Sequence, residues 1–215
     1  MYIGRIVAAG MTKDGNPVVG YRVSSRSFPN RTARLNGEIV SIMPRAGFES
    51  DLSKNPYIAY NCLRLCGKTA LVTNGSQTDP IIEKVIAGMN LRDAFALPLL
   101  AMDYEKDSLD TPRIAAAVDA EKKVCMIGIV RKDAVLVREF ALEPGKMIYI
   151  STYEKNAPCA KNCDEAFDAA NAADVCDYMI SGGVFADFEK PVTAASAIWN
   201  GAGYDLAVAD AKIEG

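Results

Sequence analysis

Strand-like runs constrain the fold of this 215-residue chain more than any other feature. Ten runs rich in β-branched and aromatic residues are separated by Gly, Pro, Asn or Asp. They lie at residues 2–9, 17–24, 38–43, 57–65, 69–73, 113–118, 123–130, 134–140, 146–151 and 204–209. The first two flank Asp14-Gly15, which supplies the positive φ angles of a tight turn, so the chain is expected to open with a hairpin.

Three helices are predicted, and they are grouped between the runs of strands. The first starts at Asp79-Pro80, a cap followed by proline, and the second runs from its cap Asn90 to Met102. The third follows Asp164 and ends at Gly182. Runs of strands with grouped helices favour an α+β fold of mostly antiparallel sheets over a parallel wind.

Length and composition point to an ordinary globular protein. With no linker or internal repeat, residues 1–215 are expected to form a single domain. The formal net charge of −3 provides no overall field that attracts duplex nucleic acid. No basic leader and no apolar run of about 18 residues is present, which predicts a cytoplasmic protein that does not enter a membrane.

The chain contains no histidine, which excludes Ser-His-Asp, Cys-His and His-metal chemistry. Six cysteines are present, but their spacings do not fit a four-ligand zinc site, so no metal is expected. No G-x-G-x-x-G or G-x-x-x-x-G-K loop occurs. Acid-base chemistry therefore falls to Asp, Glu, Tyr, Lys, Cys or water.

Two segments have the composition of an anion site, and each also has a structural interpretation. An extended backbone places Arg22, Ser24 and Arg26 on one face, where they could grip a phosphate or simply form a solvated strand end. Residues 73–79 lead from a strand into a helix N-terminus, which suits either anion binding or capping.

Tyrosines and an acidic segment leave similar alternatives open. Tyr60 and Asn61 follow a turn, and Tyr153 lies at another strand end; the tyrosines could line a pocket or edge the core. Residues 103–113 are acidic and could be solvated. Glu105 lies between Asp103 and Asp107, and these neighbouring charges are expected to raise its pKa towards neutrality.

Seven segments together closely resemble the archaeal-type IMP cyclohydrolase family. They are YIGRI (2–6), YRVSSRSFPNR (21–31), NPYIAYN (55–61), TNGS (73–76), MDYEKD (102–107), TPRI (111–114) and YISTYE (149–154). The resemblance implies the four-layer αββα fold of N-terminal nucleophile hydrolases and no cofactor. It departs from that superfamily in one respect, because the bulky Tyr2 follows Met1 where a freed nucleophile would stand; Met1 is expected to be retained.

The implied activity is that of a hydrolase acting on a cyclic amidine in the cyclising direction. 5-Formamidoimidazole-4-carboxamide ribonucleotide loses water and closes to inosine monophosphate, the last step of purine synthesis. The implied partner is thus a small purine nucleotide rather than a nucleic acid or a membrane, and a homo-oligomer is allowed but not specified.

Site roles are assigned from the chemistry of ring closure. The arginines are assigned to the phosphate and the developing oxyanion, Asn74 to the carboxamide or formyl group, and Glu105 with two tyrosines to proton transfer. The predicted catalytic residues are Glu105, Tyr60, Tyr153 and Asn74; the predicted substrate-binding residues are Arg22, Ser24, Arg26, Asn30, Arg31, Asn61 and Gly75. Two alternatives remain: an amidohydrolase for another small amide, and a non-catalytic nucleotide-binding module.

Overall fold

The structure is a computed structural model that describes residues 1–212, within which thirteen strands form two sheets. The strands are β1 (Ile6–Met11), β2 (Pro17–Ser24), β3 (Arg31–Asn36), β4 (Ile39–Pro44), β5 (Tyr60–Cys66), β6 (Thr69–Thr73), β7 (Arg113–Asp119), β8 (Val124–Arg131), β9 (Ala134–Ala141), β10 (Lys146–Ser151), β11 (Cys163–Asp164), β12 (Pro191–Trp199) and β13 (Tyr204–Asp210). The helices are α1 (Asp51–Lys54), α2 (Thr78–Ile86), α3 (Leu91–Met102) and α4 (Ala172–Ser181), with 3-10 helices at Pro56–Ile58 and Gly183–Asp187.

The two sheets are antiparallel, which confirms the α+β prediction. The first sheet has the order β11-β10-β1-β2-β12-β13, and the second has the order β3-β4-β5-β6-β7-β8-β9. All pairs between these named strands are antiparallel. The predicted hairpin is present, since β1 and β2 pair from Ile6 opposite Arg22 to Met11 opposite Pro17, and Gly15 in the turn has φ 86°.

The elements form four layers, because each sheet buries both of its faces. Residues such as Val19 and Tyr21 of β2 pack between the two sheets. On the other face of the first sheet, Val18 packs beneath Met179 of α4. Helices α2 and α3 cover the outer face of the second sheet, where Phe95 packs in a third apolar cluster. The order of layers is therefore α4, first sheet, second sheet, and α2 with α3.

Helices α3 and α4 each begin directly after an asparagine whose side chain caps the helix. Helix α3 spans the predicted residues, and the side-chain oxygen of Asn90 accepts the Asp93 N–H at 3.0 Å. Helix α2 begins at Thr78, one residue before the predicted cap. The prediction that the third helix follows Asp164 is wrong, because α4 starts at Ala172 with Asn171 as its cap.

The strand predictions need correction at four places. Strands β3, β11 and β12 were not predicted; β12 is rich in Ala, a residue with little preference for strands, although it lies inside the first sheet. The strand predicted at 57–65 begins only at Tyr60. The reason is that Asn55 caps a 3-10 turn by accepting the Tyr57 N–H at 2.8 Å.

No helix in residues 1–212 is both long and apolar enough to cross a membrane.

Candidate active site

A cavity of about 420 Å³ opens where five parts of the chain meet: the N-terminal residues before β1, the loop after β2, the segment at 55–58, the turn between α3 and β7, and the segment after β10. This volume is typical of small-molecule sites. Four predicted site residues line it: Ser24, Arg26, Arg31 and Tyr153. The structure therefore brings together residues that lie up to 129 positions apart, from Ser24 to Tyr153.

Gly4 allows the N-terminal segment to run close against the cavity wall. Its φ is 77°, and an added Cβ would overlap Thr152 Oγ1 and lie 2.8 Å from the Tyr153 ring. A side chain at this position would be both strained and blocked. Glycine here lets Arg5 reach the cavity while its backbone pairs with Thr152.

Glu105 is buried between two guanidinium groups directly behind the cavity wall. Its side chain is 1% exposed, and Oε2 accepts from Arg5 Nη2 at 3.2 Å. Arg113 Nη1 lies 4.0 Å from Oε1. Within residues 1–212, Oε1 has no hydrogen-bond donor, so a buried carboxylate oxygen is left unpaired.

The pKa of Glu105 is raised, as predicted, but chiefly by burial rather than by neighbouring acids. Burial disfavours the ionised form, while the positive charges of Arg5 and Arg113 oppose this effect. Asp107 adds a smaller upward contribution. Asp103 is not among the causes, and its carboxylate pairs with Lys106 at 2.6 Å. The solvated alternative for Glu105 is therefore wrong.

Arg31 presents a second unpaired polar group at the cavity. The residue is 3% exposed, and its Nε donates to the Phe28 carbonyl at 3.1 Å. Its Nη1 is buried and has no acceptor within the described part of the chain. An unpaired buried donor is costly unless a ligand supplies an acceptor, so the guanidinium is set to bind an oxygen in the cavity.

Arg26 lies at the cavity mouth and is accessible. Its side chain is 59% exposed and pairs with Glu189 at 3.1 Å, while its guanidinium lies over the Tyr2 ring at 4.3 Å. Burial raises the pKa of Tyr2. The backbone and hydroxyls of Ser25 and Ser27 lie beside Arg26 in the wall. This arrangement of a guanidinium and hydroxyls suits a phosphate.

The two predicted tyrosines take different positions. Tyr153 lines the cavity, and its hydroxyl lies 3.2 Å from Thr111 Oγ1. Tyr60 does not line the cavity; it is buried between the sheets, and its hydroxyl hydrogen-bonds to that of Tyr21 at 2.6 Å. Burial raises the pKa of Tyr60, and the nearby charges of Arg31 and Arg5 oppose this shift.

The structure contradicts the prediction that Arg22 binds phosphate. Arg22 is fully buried on the α4 side of β2, where its guanidinium donates to Ser24 Oγ and to five backbone carbonyls. Those carbonyls belong to Met179, Ile180, Phe185, Phe188 and Glu189. Strand alternation places Arg22 and Ser24 on one face, but that face is covered by α4 along most of its length.

Asn74 and Gly75 support the wall behind Glu105 and do not line the cavity. The fully buried amide of Asn74 donates to the Pro112 carbonyl and accepts from Ile114 N and Gln77 Nε2, so it is occupied within the fold. At Gly75, an added Cβ would lie 2.8 Å from Arg113 Nη1 and 3.5 Å from Glu105 Oε1. The predicted substrate contacts of both residues are therefore wrong for this structure.

Asn30 and Asn61 also lie away from the cavity. Asn30 lines a neighbouring groove with Arg45, and its backbone carbonyl accepts the Arg45 N–H at 2.9 Å. Asn61 accepts from Ser41 Oγ at 2.7 Å and donates to the Asp79 carboxylate at 3.1 Å. The Asn61 amide thus serves local structure, and Asn30 lies in a different groove from the cavity.

The sequence matches a known family along most of its length. The family described as IMP cyclohydrolase-like protein matches residues 2–203. The chain belongs to the IMP cyclohydrolase-like family.

Members of this family with known names are similar over nearly the whole chain. A protein named IMP cyclohydrolase from Methanocella arvoryzae is 49% identical over 198 residues, which cover 92% of each chain. One from Methanosphaera stadtmanae is 46% identical and covers 92% of this chain and 94% of its own. One from Methanocaldococcus jannaschii is 41% identical and covers 96% and 98%. The resemblance stated from the seven segments is confirmed.

Sequence reasoning missed several wall residues of this family member. Arg5 directly precedes β1 and alternates with Val7 and Ala9, which pack between the sheets. A charged residue in this apolar alternation was the signal that could have identified Arg5 as a site residue. Leu109 and Phe28 also line the cavity, but nothing in their local sequence distinguishes them from ordinary loop residues. Only the folded chain places them together.

Cysteine chemistry contributes nothing to this cavity. All six thiols are free, and none lines the cavity. Burial raises the pKa of Cys176 to about 11, which keeps the thiol protonated. Among residues 1–212, no group of three or more Cys, Asp or Glu side chains is arranged to hold a metal ion.

Proposed function

We propose that this chain is an IMP cyclohydrolase, which closes 5-formamidoimidazole-4-carboxamide ribonucleotide to inosine monophosphate with loss of water. Family membership over residues 2–203 supports this reaction, as do relatives with that name. The structural observation that carries the proposal is that two buried polar atoms have no hydrogen-bond partner within residues 1–212: Arg31 Nη1, in a residue that lines the cavity, and Glu105 Oε1, in a residue that contacts the cavity-lining Arg5. Arg31 Nη1 can still donate a hydrogen bond and Glu105 Oε1 can still accept one. A reaction that moves protons needs groups of both kinds.

The reaction is an intramolecular condensation with a simple atom balance. The carboxamide nitrogen attacks the formyl carbon, a new C–N bond forms, and the formyl oxygen gains negative charge. The carboxamide nitrogen gives up one proton and the formamido nitrogen gives up the other. The former formyl oxygen leaves with both as water, and a C=N double bond forms between the formyl carbon and the formamido nitrogen. Nothing is oxidised or reduced. Holding the two groups in contact supplies much of the rate in such reactions.

In this proposal the phosphate binds at the mouth of the cavity. Arg26 supplies a guanidinium, and Ser25 and Ser27 supply hydroxyl groups. The phosphate would replace the Glu189 carboxylate that Arg26 contacts at 3.1 Å. This exchange is favourable because a phosphate carries more charge and more acceptor oxygens than one carboxylate.

The reacting groups lie deeper, next to Arg31 and Arg5. Arg31 Nη1 donates to the formyl oxygen as it becomes negative, which lowers the barrier for attack. Glu105 lies behind the cavity wall, because Arg5 stands between it and the cavity, so Glu105 orients Arg5. In this proposal its carboxyl group, whose pKa burial raises, exchanges the proton of the attacking nitrogen through an intervening water and not by direct contact.

The fold type and organisation belong to the same proposal. We infer an N-terminal nucleophile hydrolase-like fold without its nucleophile, supported by the four layers around two antiparallel sheets. We also infer one domain over residues 1–215, of which 213–215 lie outside the described residues, and a cytoplasmic location. A single unfolding transition that coincides by fluorescence and circular dichroism would support the one-domain proposal; two separate transitions would contradict it.

An ultraviolet assay of ring closure tests the activity. Purified protein should convert the formamido ribonucleotide to inosine monophosphate. Glu105→Gln should lower kcat by about 10²–10⁴-fold if the carboxyl group transfers a proton. Glu121→Gln is the matched control, because that side chain is 68% exposed and pairs only with Lys68.

Two outcomes would support a competing function, and a third would change the role of Glu105. Hydrolysis of the formyl group without ring closure would support an amidohydrolase instead. Nucleotide binding without any product would support a binding module. If Glu105→Gln keeps more than a tenth of the wild-type kcat and the same pH profile, Glu105 serves to position Arg5 rather than to transfer a proton.

A further inference from the structure

Leu109 is an exposed apolar side chain at the rim of the cavity. It is 64% exposed, and it lines the cavity together with Phe28 and Ile58. Ile58 is buried and Phe28 is half-buried, so Leu109 extends an apolar wall outward into solvent. An apolar side chain at the end of such a wall gains stability when a ligand covers it.

The turn that carries Leu109 is firmly built. The Asp107 carboxylate accepts the Leu109 N–H at 3.1 Å, the Thr111 N–H at 2.9 Å and the Thr111 hydroxyl at 2.7 Å. The turn closes with the Glu105 N–H donating to the Thr111 carbonyl at 2.8 Å. The exposure of Leu109 is therefore set by a hydrogen-bonded turn, and the side chain is held in position before any ligand arrives.

The cavity wall contains both polar and apolar side chains. Arg26, Ser25 and Ser27 supply a charge and hydroxyl groups, whereas Phe28, Ile58 and Leu109 supply apolar surface. A ligand that carries both a phosphate and a flat ring matches this combination.

We propose that Leu109 is a specificity residue that packs against the heterocyclic ring of the nucleotide, so that the site selects ligands carrying a base over sugar phosphates. The inference rests on the proposed function, because it takes a purine nucleotide as the ligand. It goes further by assigning the apolar wall, and Leu109 in particular, to recognition of the base. The residue acts in binding and has no part in proton transfer.

Calorimetric titration of two ligands tests this assignment. Inosine monophosphate carries phosphate, ribose and base, whereas ribose 5-phosphate lacks the base. Leu109→Ala should weaken inosine monophosphate roughly five- to tenfold, the effect expected for losing most of an apolar side chain from a contact. The affinity for ribose 5-phosphate should change less than twofold, and KM for the cyclisation should rise while kcat stays near wild type.

Leu100→Ala is the matched control. Leu100 is 66% exposed, similar to Leu109, but lies on α3 and does not line the cavity. Its replacement should leave both affinities unchanged. Because both leucines are on the surface, neither variant is expected to lose the fold.

The results distinguish this inference from the proposed function. An unchanged inosine monophosphate affinity in Leu109→Ala, or an equal loss for both ligands, would overturn the role of Leu109. If the wild type binds inosine monophosphate but forms no product, the proposed activity fails, and the base-selective loss in Leu109→Ala would still support the packing contact.

Discussion

Replacing Arg22 with lysine tests whether this arginine is structural. The guanidinium holds carbonyls from two places: the C-terminal turn of α4, and the 3-10 helix Gly183–Asp187 with the two residues that follow it. Carbonyls at a helix C-terminus lack intrahelical donors, so Arg22 acts as a cap for α4. Burial lowers the pKa of Arg22 to about 10, which leaves it charged at neutral pH.

Lysine keeps the charge but has three donors at a single point, so it cannot serve Ile180 and Phe188 together. Leaving two buried carbonyls unpaired costs about 1–3 kcal/mol each, or about 2–6 kcal/mol in total. For a chain of this size, each kcal/mol lowers Tm by about 2–4 °C. We therefore expect Arg22→Lys to melt roughly 5–20 °C below the wild type.

Thermal unfolding followed by circular dichroism measures this change, with Arg26→Lys as the control. The Arg26 side chain is 59% exposed, so its replacement should leave Tm within about 1 °C of wild type while weakening ribose 5-phosphate binding. The reasoning is refuted if Arg22→Lys melts like wild type and instead loses phosphate affinity.

Three further predictions concern residues around the cavity. Burial raises the pKa of Glu105 above its ordinary 4.5, so below pH 4.5 the wild type should be more stable relative to Glu105→Gln, and this advantage should be lost as the pH rises through the pKa of the folded state. If the difference in unfolding free energy between the two proteins is the same at about pH 4 and about pH 8, this prediction is contradicted. Gly4→Ala should destabilise the fold by about 2–4 kcal/mol, since its Cβ meets Thr152 and Tyr153; an unchanged urea midpoint would disprove the close contact. Tyr21→Phe should lower the free energy of unfolding by about 1 kcal/mol, with almost no further loss when Tyr60 is already Phe, because the two hydroxyls share one hydrogen bond; additive losses would show that they act independently.

The chain sequence determined those features whose causes lie within a few residues. Asn90 caps α3 through the amide of Asp93, three residues away, and Asp14-Gly15 turns the first hairpin. The α+β class followed from the grouping of strands and helices. These features could be read because side-chain caps, turn geometry and strand alternation act over short distances.

The tertiary structure decided which arginine has an unpaired nitrogen beside the cavity and which one holds the fold together. Arg22 and Arg31 lie on the same stretch of sequence, and both are buried. Carbonyls more than 150 positions away surround Arg22, whereas Arg31 Nη1 is left unpaired. No local pattern carries that difference, because the availability of a guanidinium depends on which distant groups pack around it.

The same holds for Glu105. Its acidic neighbours suggested a raised pKa, and the direction was right, but the main cause is burial between Arg5 and Arg113. Sequence neighbours fix only the nearest charges. Desolvation depends on every element that packs over the carboxyl group, and these elements come from the chain start, β7 and the loop before α2. The pKa of Glu105 is therefore set only in the folded chain, where burial raises it and the two arginines lower it.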